Sequence, residues 1–356
     1  MYSLNEIGLL PSAEPSPVKS RKETNPYVYH FNSGKIKLPI FVSPMPCIID
    51  ESNFDLFDNS LVQPILPRGA RPEYTIKALS KGKWVAVSLK EFKALFNLNL
   101  DDKYRDAVLN GVPMHVCIDM ANGHMQELVD AIKRAKSIYG DTLIIMAGNI
   151  GHPKMYLELA EAGADYVRVG IGGGNACTTS VLTGIHASLP WLLKNITKIK
   201  MSMVGKNKPT IVADGGIDTI DKAIKCLALG ADMVMMGKMF AQCEEACGEI
   251  DTRYTYNWDF ESGTTTATNR WRKYYGNASK EGQKALGGKG NKPSEGISTY
   301  VKVDTTLKQL SSDFENALRS AMSYTGASKL NEFVGKVEWA PMSEMEFKSY
   351  HKNYES

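Results

Sequence analysis

The stretch 166-YVRVGIGGGNACTTSVLTG-184 decides the fold. An apolar run ends in glycines, and a cysteine follows between an alanine and two threonines. Apolar runs with little alternation suit strands buried on both faces, as in a parallel sheet. The glycines then pose a choice of architecture. An open doubly wound sheet wants a GxGxxG fingerprint opening a helix, with an acid about twenty residues further on. Here the glycine run comes after five earlier strand-like runs and leads into Cys177, Thr178 and Thr179.

Working outward, those earlier runs are 39-PIFVSPM-45, 62-VQPILPR-68, 83-KWVAVSL-89, 114-MHVCIDMA-121 and 142-TLIIMAGN-149. The sixth is 165-DYVRVGIG-172, and 209-PTIVADGG-216 and 232-DMVMMGKM-239 follow it. Amphipathic stretches such as 126–140 and 153–164 lie between them. Eight strand–helix units predict an α/β protein of the (β/α)₈ TIM barrel type. The paired GAD triplets, 163–165 and 230–232, fit two equivalent helix-to-strand turns.

The predicted layout is an N-terminal extension over 1–37, a catalytic barrel over 38–335 and a C-terminal tail over 336–356. No regulatory module interrupts the barrel. Residues 250–300 stand outside the eight units; their polar character and lack of periodicity predict a functional loop or disorder. A further helix is predicted over 306–324, followed by a polar tail.

Composition removes several classes of function. With 43% hydrophobic and 23% charged residues the chain can bury a substantial core. Its net charge of +3 is too small and too evenly spread for a nucleic-acid binder. The six cysteines show no CxxC pair or zinc spacing, so no metal centre is expected, and reduced thiols point to the cytoplasm. The first residues lack a secretion signal, and no run of about 18 apolar residues suggests a membrane span.

In a barrel, chemistry sits at the C-terminal ends of the strands. Ser43, Asp119, Asn122, Asn149, Cys177, Asp214, Gly215, Gly216 and Gly237 all fall there. Cys177 follows Gly172, Gly173 and Gly174, whose backbone allows close approach of a ligand. A thiol on such a loop is a candidate nucleophile, and equally a small buried side chain. The loops 213-ADGGI-217 and 236-MGKMF-240 offer glycine amides as a phosphate cradle, with Lys238 adding a charge or simply solvated. Asp119, Asn122 and Asn149 read as ligand-binding groups or as caps.

In order and spacing, 170-GIGGGNACTT-179, 212-VADGGI-217, 230-GADMVMMG-237, 275-YGNAS-279, 294-SEG-296 and 317-ALRSAMSYTGASKL-330 resemble the IMP dehydrogenase/GMP reductase family. The resemblance covers about residues 115–330, and 38-LPIFVSPMPCIIDES-52 matches more weakly. It implies that Cys177 attacks C2 of a purine nucleotide, with Ser43 also in the substrate site. Phosphate would lie on Gly215, Gly216, Gly237 and Lys238, with Tyr275 nearby. Asp214 would take the ribose, while Gly276, Asn277 and Ser279 line the base. A nicotinamide cofactor would sit near Asp119, Asn122, Asn149 and Gly172. The family also implies a homotetramer, and K⁺ at the Gly172, Gly174 and Cys177 backbone.

IMP dehydrogenases of this family activate water with an Arg–Tyr pair on a flap before the EG dipeptide. Between Gly276 and Glu295 this chain has neither residue. The resemblance therefore implies a GMP reductase, turning GMP and NADPH into IMP, ammonia and NADP⁺, with Thr179 and Glu295 handling the ammonia proton. An IMP dehydrogenase making XMP, or a nucleotide-binding member without turnover, are the alternatives. Asn277, Ala278 and Lys238 depart from the family pattern, in positions that touch base and phosphate recognition.

Overall fold

The computed structural model describes residues 2–30, 35–96, 112–174, 176–205, 207–259, 263–288 and 296–351. Eight parallel strands fall on the eight predicted runs. They are β1 Ile40–Val42, β2 Gln63–Pro64, β3 Trp84–Val87 and β4 Met114–Ile118. β5 Leu143–Ile150, β6 Tyr166–Val169, β7 Thr210–Asp214 and β8 Met233–Met236 follow. Their order is β2-β1-β8-β7-β6-β5-β4-β3. The remaining seam, between β2 and β3, is closed by the Leu66–Val85 bridge. There the Leu66 N–H donates to the Trp84 carbonyl at 2.9 Å, and the Ala86 N–H to that of Leu66 at 2.7 Å. The ring is a (β/α)₈ barrel, and the open sheet is excluded because the strand order never reverses.

Helices cover the ring where the apolar period required. Gln126–Tyr139 buries Leu128, Val129, Ile132 and Ala135 on one face. Pro153–Ala162 starts on a proline, which gives up only an N–H with no helical partner, and ends at Gly163 in the left-handed region.

Inside the barrel, side chains two residues apart share a face. Phe41, Trp84 and Tyr166 pack edge to face at 5.1–5.9 Å. Cys117 and Val212 belong to the same apolar layer. One step further along the same faces come Arg168 after Tyr166, Asp119 after Cys117 and Asp214 after Val212. The alternation that fills the lower barrel with hydrocarbon therefore delivers three charges to its upper mouth.

The first half of the loop expected over 250–300 is instead a long antiparallel hairpin. β9 Ile250–Asp259 pairs with β10 Gly263–Tyr275, and β11 Ser298–Lys302 adds to the other edge of β10. Its threonines and aromatics favour strands, but a third strand some 25 residues downstream completes the sheet, beyond the reach of local periodicity. Arg272 fixes this sheet to the barrel. Fully buried, its guanidinium donates to the carbonyls of Gly248 at 2.8 Å, Ala241 at 2.7 Å, Cys243 at 2.5 Å and Glu244 at 3.3 Å.

The expected polar tail is also structured. Trp339–Pro341 pairs antiparallel with Ile7–Leu9, so the two ends of the chain clasp each other, and Glu344–His351 is helical. No helix among the described residues is long and apolar enough to cross a membrane.

Candidate active site

A cavity of about 300 Å³ opens at the C-terminal mouth of the barrel. Ser43, Asp119, Asn149, Gly172, Gly173, Gly174, Cys177, Thr179, Asp214, Gly215, Gly216, Gly237, Lys238, Gly276 and Asn277 all line it. Predicted residues from six different strand ends and from the 276–278 segment thus converge on one space.

Position separates Cys177 from the other thiols. Burial raises Cys47 to about 11 and Cys117, Cys243 and Cys247 to about 12, and it raises Cys226 as well. These five are held as inert thiols. Cys177 alone lines the cavity, half-exposed, with its Sγ 3.3 Å from the Thr179 hydroxyl. Its N–H donates to the Gly174 carbonyl at 2.9 Å, and the Ser180 hydroxyl bonds that of Gly172 at 3.1 Å. Two carbonyls of the suggested K⁺ loop are thus already engaged. On its far side the loop is bridged to Gly296, and the Ile297 N–H donates to the Ala176 carbonyl at 3.0 Å. Glu295 itself lies outside the described residues.

The glycines of the two phosphate-type loops are there for space. Gly216 has φ +73°, and a Cβ on it would meet the Gly173 carbonyl oxygen at 2.7 Å. A Cβ on Gly237 would lie 2.9 Å from Met45 Sδ and 3.1 Å from the Tyr274 hydroxyl. Lys238 reaches Asp218 at 3.5 Å, while Asp218 is also paired with Lys222 at 2.6 Å. A positive side chain therefore stands beside these loops on an adjustable tether.

Three residues differ from their expected places. Tyr275 does not line the cavity; its neighbour Tyr274 does, because residues on a strand alternate and Tyr274 takes the inward face. Burial raises the Tyr274 phenol, which stays protonated and able to donate. Ser279 is buried as the cap of helix Lys280–Ala285, accepting from the Gly282 N–H at 3.0 Å and donating to the Gly276 carbonyl at 2.8 Å. Asn122 stands outside the cavity lining, its Oδ1 accepting from the His124 N–H at 3.0 Å.

The upper charge layer was not foreseen. Arg168 is buried between Asp119, at 2.9 Å, and Asp214, at 2.8 Å. Arg68 donates to the other Asp119 oxygen at 3.1 Å, and so does the Asn277 amide at 3.0 Å. Asn149 donates to Asp214 at 2.8 Å and to the Gly170 carbonyl at 2.8 Å. Burial raises the Asp119 carboxyl, but Arg168 and Arg68 outweigh it and hold the group below the usual carboxylate range. The signal in the sequence was an arginine inside the otherwise apolar YVRVG run. A charge there cannot be buried without partners.

His124 shores up the same rim, accepting from the Gly151 N–H through Nε2 at 2.9 Å. Burial, then the charge of His152, lowers its pKa below the usual 6.5. A depressed histidine contributes stability above its unfolded value and loses it as pH falls through the folded one. Thermal melts should therefore fall more steeply below about pH 6.5 in the parent than in His124→Gln, whose amide oxygen accepts at any pH. Parallel profiles would disprove this.

A parallel barrel whose C-terminal mouth gathers a half-exposed cysteine, glycine loops and charged side chains has the layout of a (β/α)₈ enzyme. A family model described as IMP dehydrogenase / GMP reductase domain matches residues 97–352. GMP reductase of Helicobacter pylori (strain ATCC 700392 / 26695) is 31% identical over 95% of this chain and 95% of its own. GMP reductase of Staphylococcus carnosus (strain TM300) is 30% identical over 95% of each chain. The chain belongs to the IMP dehydrogenase/GMP reductase family of oxidoreductases.

Proposed function

We propose that the protein reduces GMP to IMP with release of ammonia, using NADPH. The observation that carries this reading is the Cys177 thiol, half-exposed in the cavity and within 3.3 Å of the Thr179 hydroxyl, where no other cysteine lines the cavity. Relatives named GMP reductase across nearly the whole chain support it, as does a 277–294 segment without arginine or tyrosine to activate water.

The Cys177 sulfur adds to C2 of GMP, and the bond from C2 to the exocyclic amine breaks. Thr179, with Glu295, delivers the proton that lets the amine leave as ammonia. Such acid–base assistance is worth on the order of 10²–10⁴ in rate. When C2 is reduced, the carbon–sulfur bond breaks and the thiolate returns. The nicotinamide supplies the two electrons when bound. In sum GMP, NADPH and two protons give IMP, NADP⁺ and ammonium.

The glycines at 215, 216 and 237, Lys238 and Tyr274 hold the phosphate in this reading. The Asp214 Oδ2 is taken by Arg168 and Asn149, while its Oδ1 accepts no hydrogen bond among the described residues. A ribose hydroxyl fits that vacancy. The opposite wall suits a nicotinamide nucleotide, with apolar Met120 and Ala121 beside the fixed carboxylate of Asp119. A homotetramer is part of the same reading. Exposed Val181, Leu182 and Ile185, just past the cysteine loop, are apolar surface that a second copy would cover.

The test is purified protein with GMP and NADPH, following loss of reduced-nicotinamide absorbance and release of ammonia. Formation of XMP from IMP and NAD⁺, with GMP inert, would overturn the assignment in favour of dehydrogenation. Tight nucleotide binding without chemistry would overturn it in favour of a binding role. Tyr274→Phe is expected to raise KM for the nucleotide about tenfold, roughly 1.4 kcal/mol, at nearly constant kcat. An unchanged KM would remove Tyr274 from the phosphate site.

A further inference from the structure

The charge layer at the barrel mouth joins the two halves of the cavity through one side chain. Asp214 stands on the side of the glycine loops, at the end of β7. Asp119 stands across the barrel, just past β4, beside Met120 and Ala121. Arg168 on β6 spans them, with Nη1 on Asp119 at 2.9 Å and Nη2 on Asp214 at 2.8 Å. From Asp119 the chain of contacts continues to Asn277, whose amide also donates to the Pro44 carbonyl at 3.2 Å. From Asp214 it continues to Asn149.

Each carboxylate has a different amount of capacity left. Asp119 accepts on both oxygens, from Arg168 on one and from Arg68 and Asn277 on the other. It is thus a strut rather than a base waiting for a proton. Among the described residues Asp214 is loaded on Oδ2 only. Two arginines and two aspartates balance in charge, so the cluster is stable as a unit but not with any one member removed.

We infer that Arg168 is a positioning residue that couples binding of the purine nucleotide to binding of the nicotinamide cofactor; this rests on the function proposed above. A ligand hydroxyl on Asp214 Oδ1 fixes that carboxylate and displaces water from the mouth. Less water means a lower local dielectric, which tightens the Arg168 pair with Asp119. The wall carrying Asp119, and Asn277 with it, is then already ordered when the second ligand arrives. A second ligand meeting an ordered site bears less of the ordering cost, which is positive cooperativity. By linkage the effect is mutual: the cofactor tightens the nucleotide by the same factor.

IMP and NADPH are the probes for the test. In neither the reductase nor the dehydrogenase reading do they react with each other, so binding is measured without turnover. NADPH is titrated by fluorescence with and without saturating IMP. The parent protein should bind NADPH at least fivefold tighter with IMP present, the low end of ordinary coupling. Arg168→Lys keeps the charge but replaces the two-armed fork with a single ammonium. It should bring that factor to about one while IMP alone still binds in calorimetry. Asp119→Asn removes the same link from the other end with little change in shape, and its factor should fall likewise. Because the readout is a ratio, a variant that merely weakened one ligand would leave it unchanged.

A factor of one in the parent would overturn the inference without recourse to any variant. So would a factor in either folded variant that matched the parent's. Failure of IMP to bind the parent at all would instead remove the proposed function on which the inference stands.

Discussion

Cys177→Ala is expected to lower turnover of GMP by at least a thousandfold, roughly 4 kcal/mol of transition-state stabilisation, while the fold and nucleotide binding persist. The size follows from the chemistry: without sulfur the covalent intermediate of the proposed route cannot form, and Cys177 carries the one thiol among the described residues that line the cavity. The side chain is small and half-exposed, so its removal leaves no core cavity. The check is paired: ammonia release under saturating NADPH, and calorimetric titration with IMP. Turnover within tenfold of the parent's would sink the covalent route. Alanine at any of the other five cysteines should lack this signature, since none of them lines the cavity.

Arg272→Ala should destabilise the protein by about 4 kcal/mol, among the larger effects of a single substitution. The guanidinium satisfies four backbone carbonyls without a carboxylate in reach of its hydrogen bonds. Truncation strips the donor from the buried Ala241 carbonyl, leaves the Cys243 carbonyl with the Ala246 N–H alone, and frees two partly buried carbonyls, at about 1–3 kcal/mol for a buried acceptor left unmade. It also frees β10, which delivers Tyr274 and the 276–278 segment to the cavity. Urea unfolding at constant m value is the measurement. Arg272→Lys should recover part of the loss, because three donors replace a fork of five. A loss below 1 kcal/mol in the alanine variant would show that the sheet holds its place by other contacts.

Much of this was legible along the chain because the signals are local. Apolar runs with strand length and their loops needed only neighbouring residues, and all eight strands fall on them. The glycine loops and Cys177 were legible for the same reason, since strand ends in a barrel share one mouth. Tyr274 was missed by one residue. Its inward direction depends on the pairing of β10 with β9 and β11, and a strand slipped by one presents the opposite face. The hairpin over 250–275 and the clasp of the two chain ends were missed because their partners are remote. Pairing of Ile7–Leu9 with Trp339–Pro341 spans almost the entire chain.

Sequence alone determined the barrel, from eight strand–loop units in order, and the mouth where the candidate residues gather. It offered Cys177 as a candidate nucleophile through the family resemblance, since spacing alone left it equally a buried side chain. Only the tertiary structure decided what surrounds that cysteine. Arg168, Asp119 and Asp214 come from three different strand–loop units, and nothing in their separate neighbourhoods says that one guanidinium lies between two carboxylates. Closing the ring brings each carboxylate within 3 Å of the Arg168 guanidinium, and Arg68 beside Asp119 completes the charge balance that lets a barrel interior hold such groups.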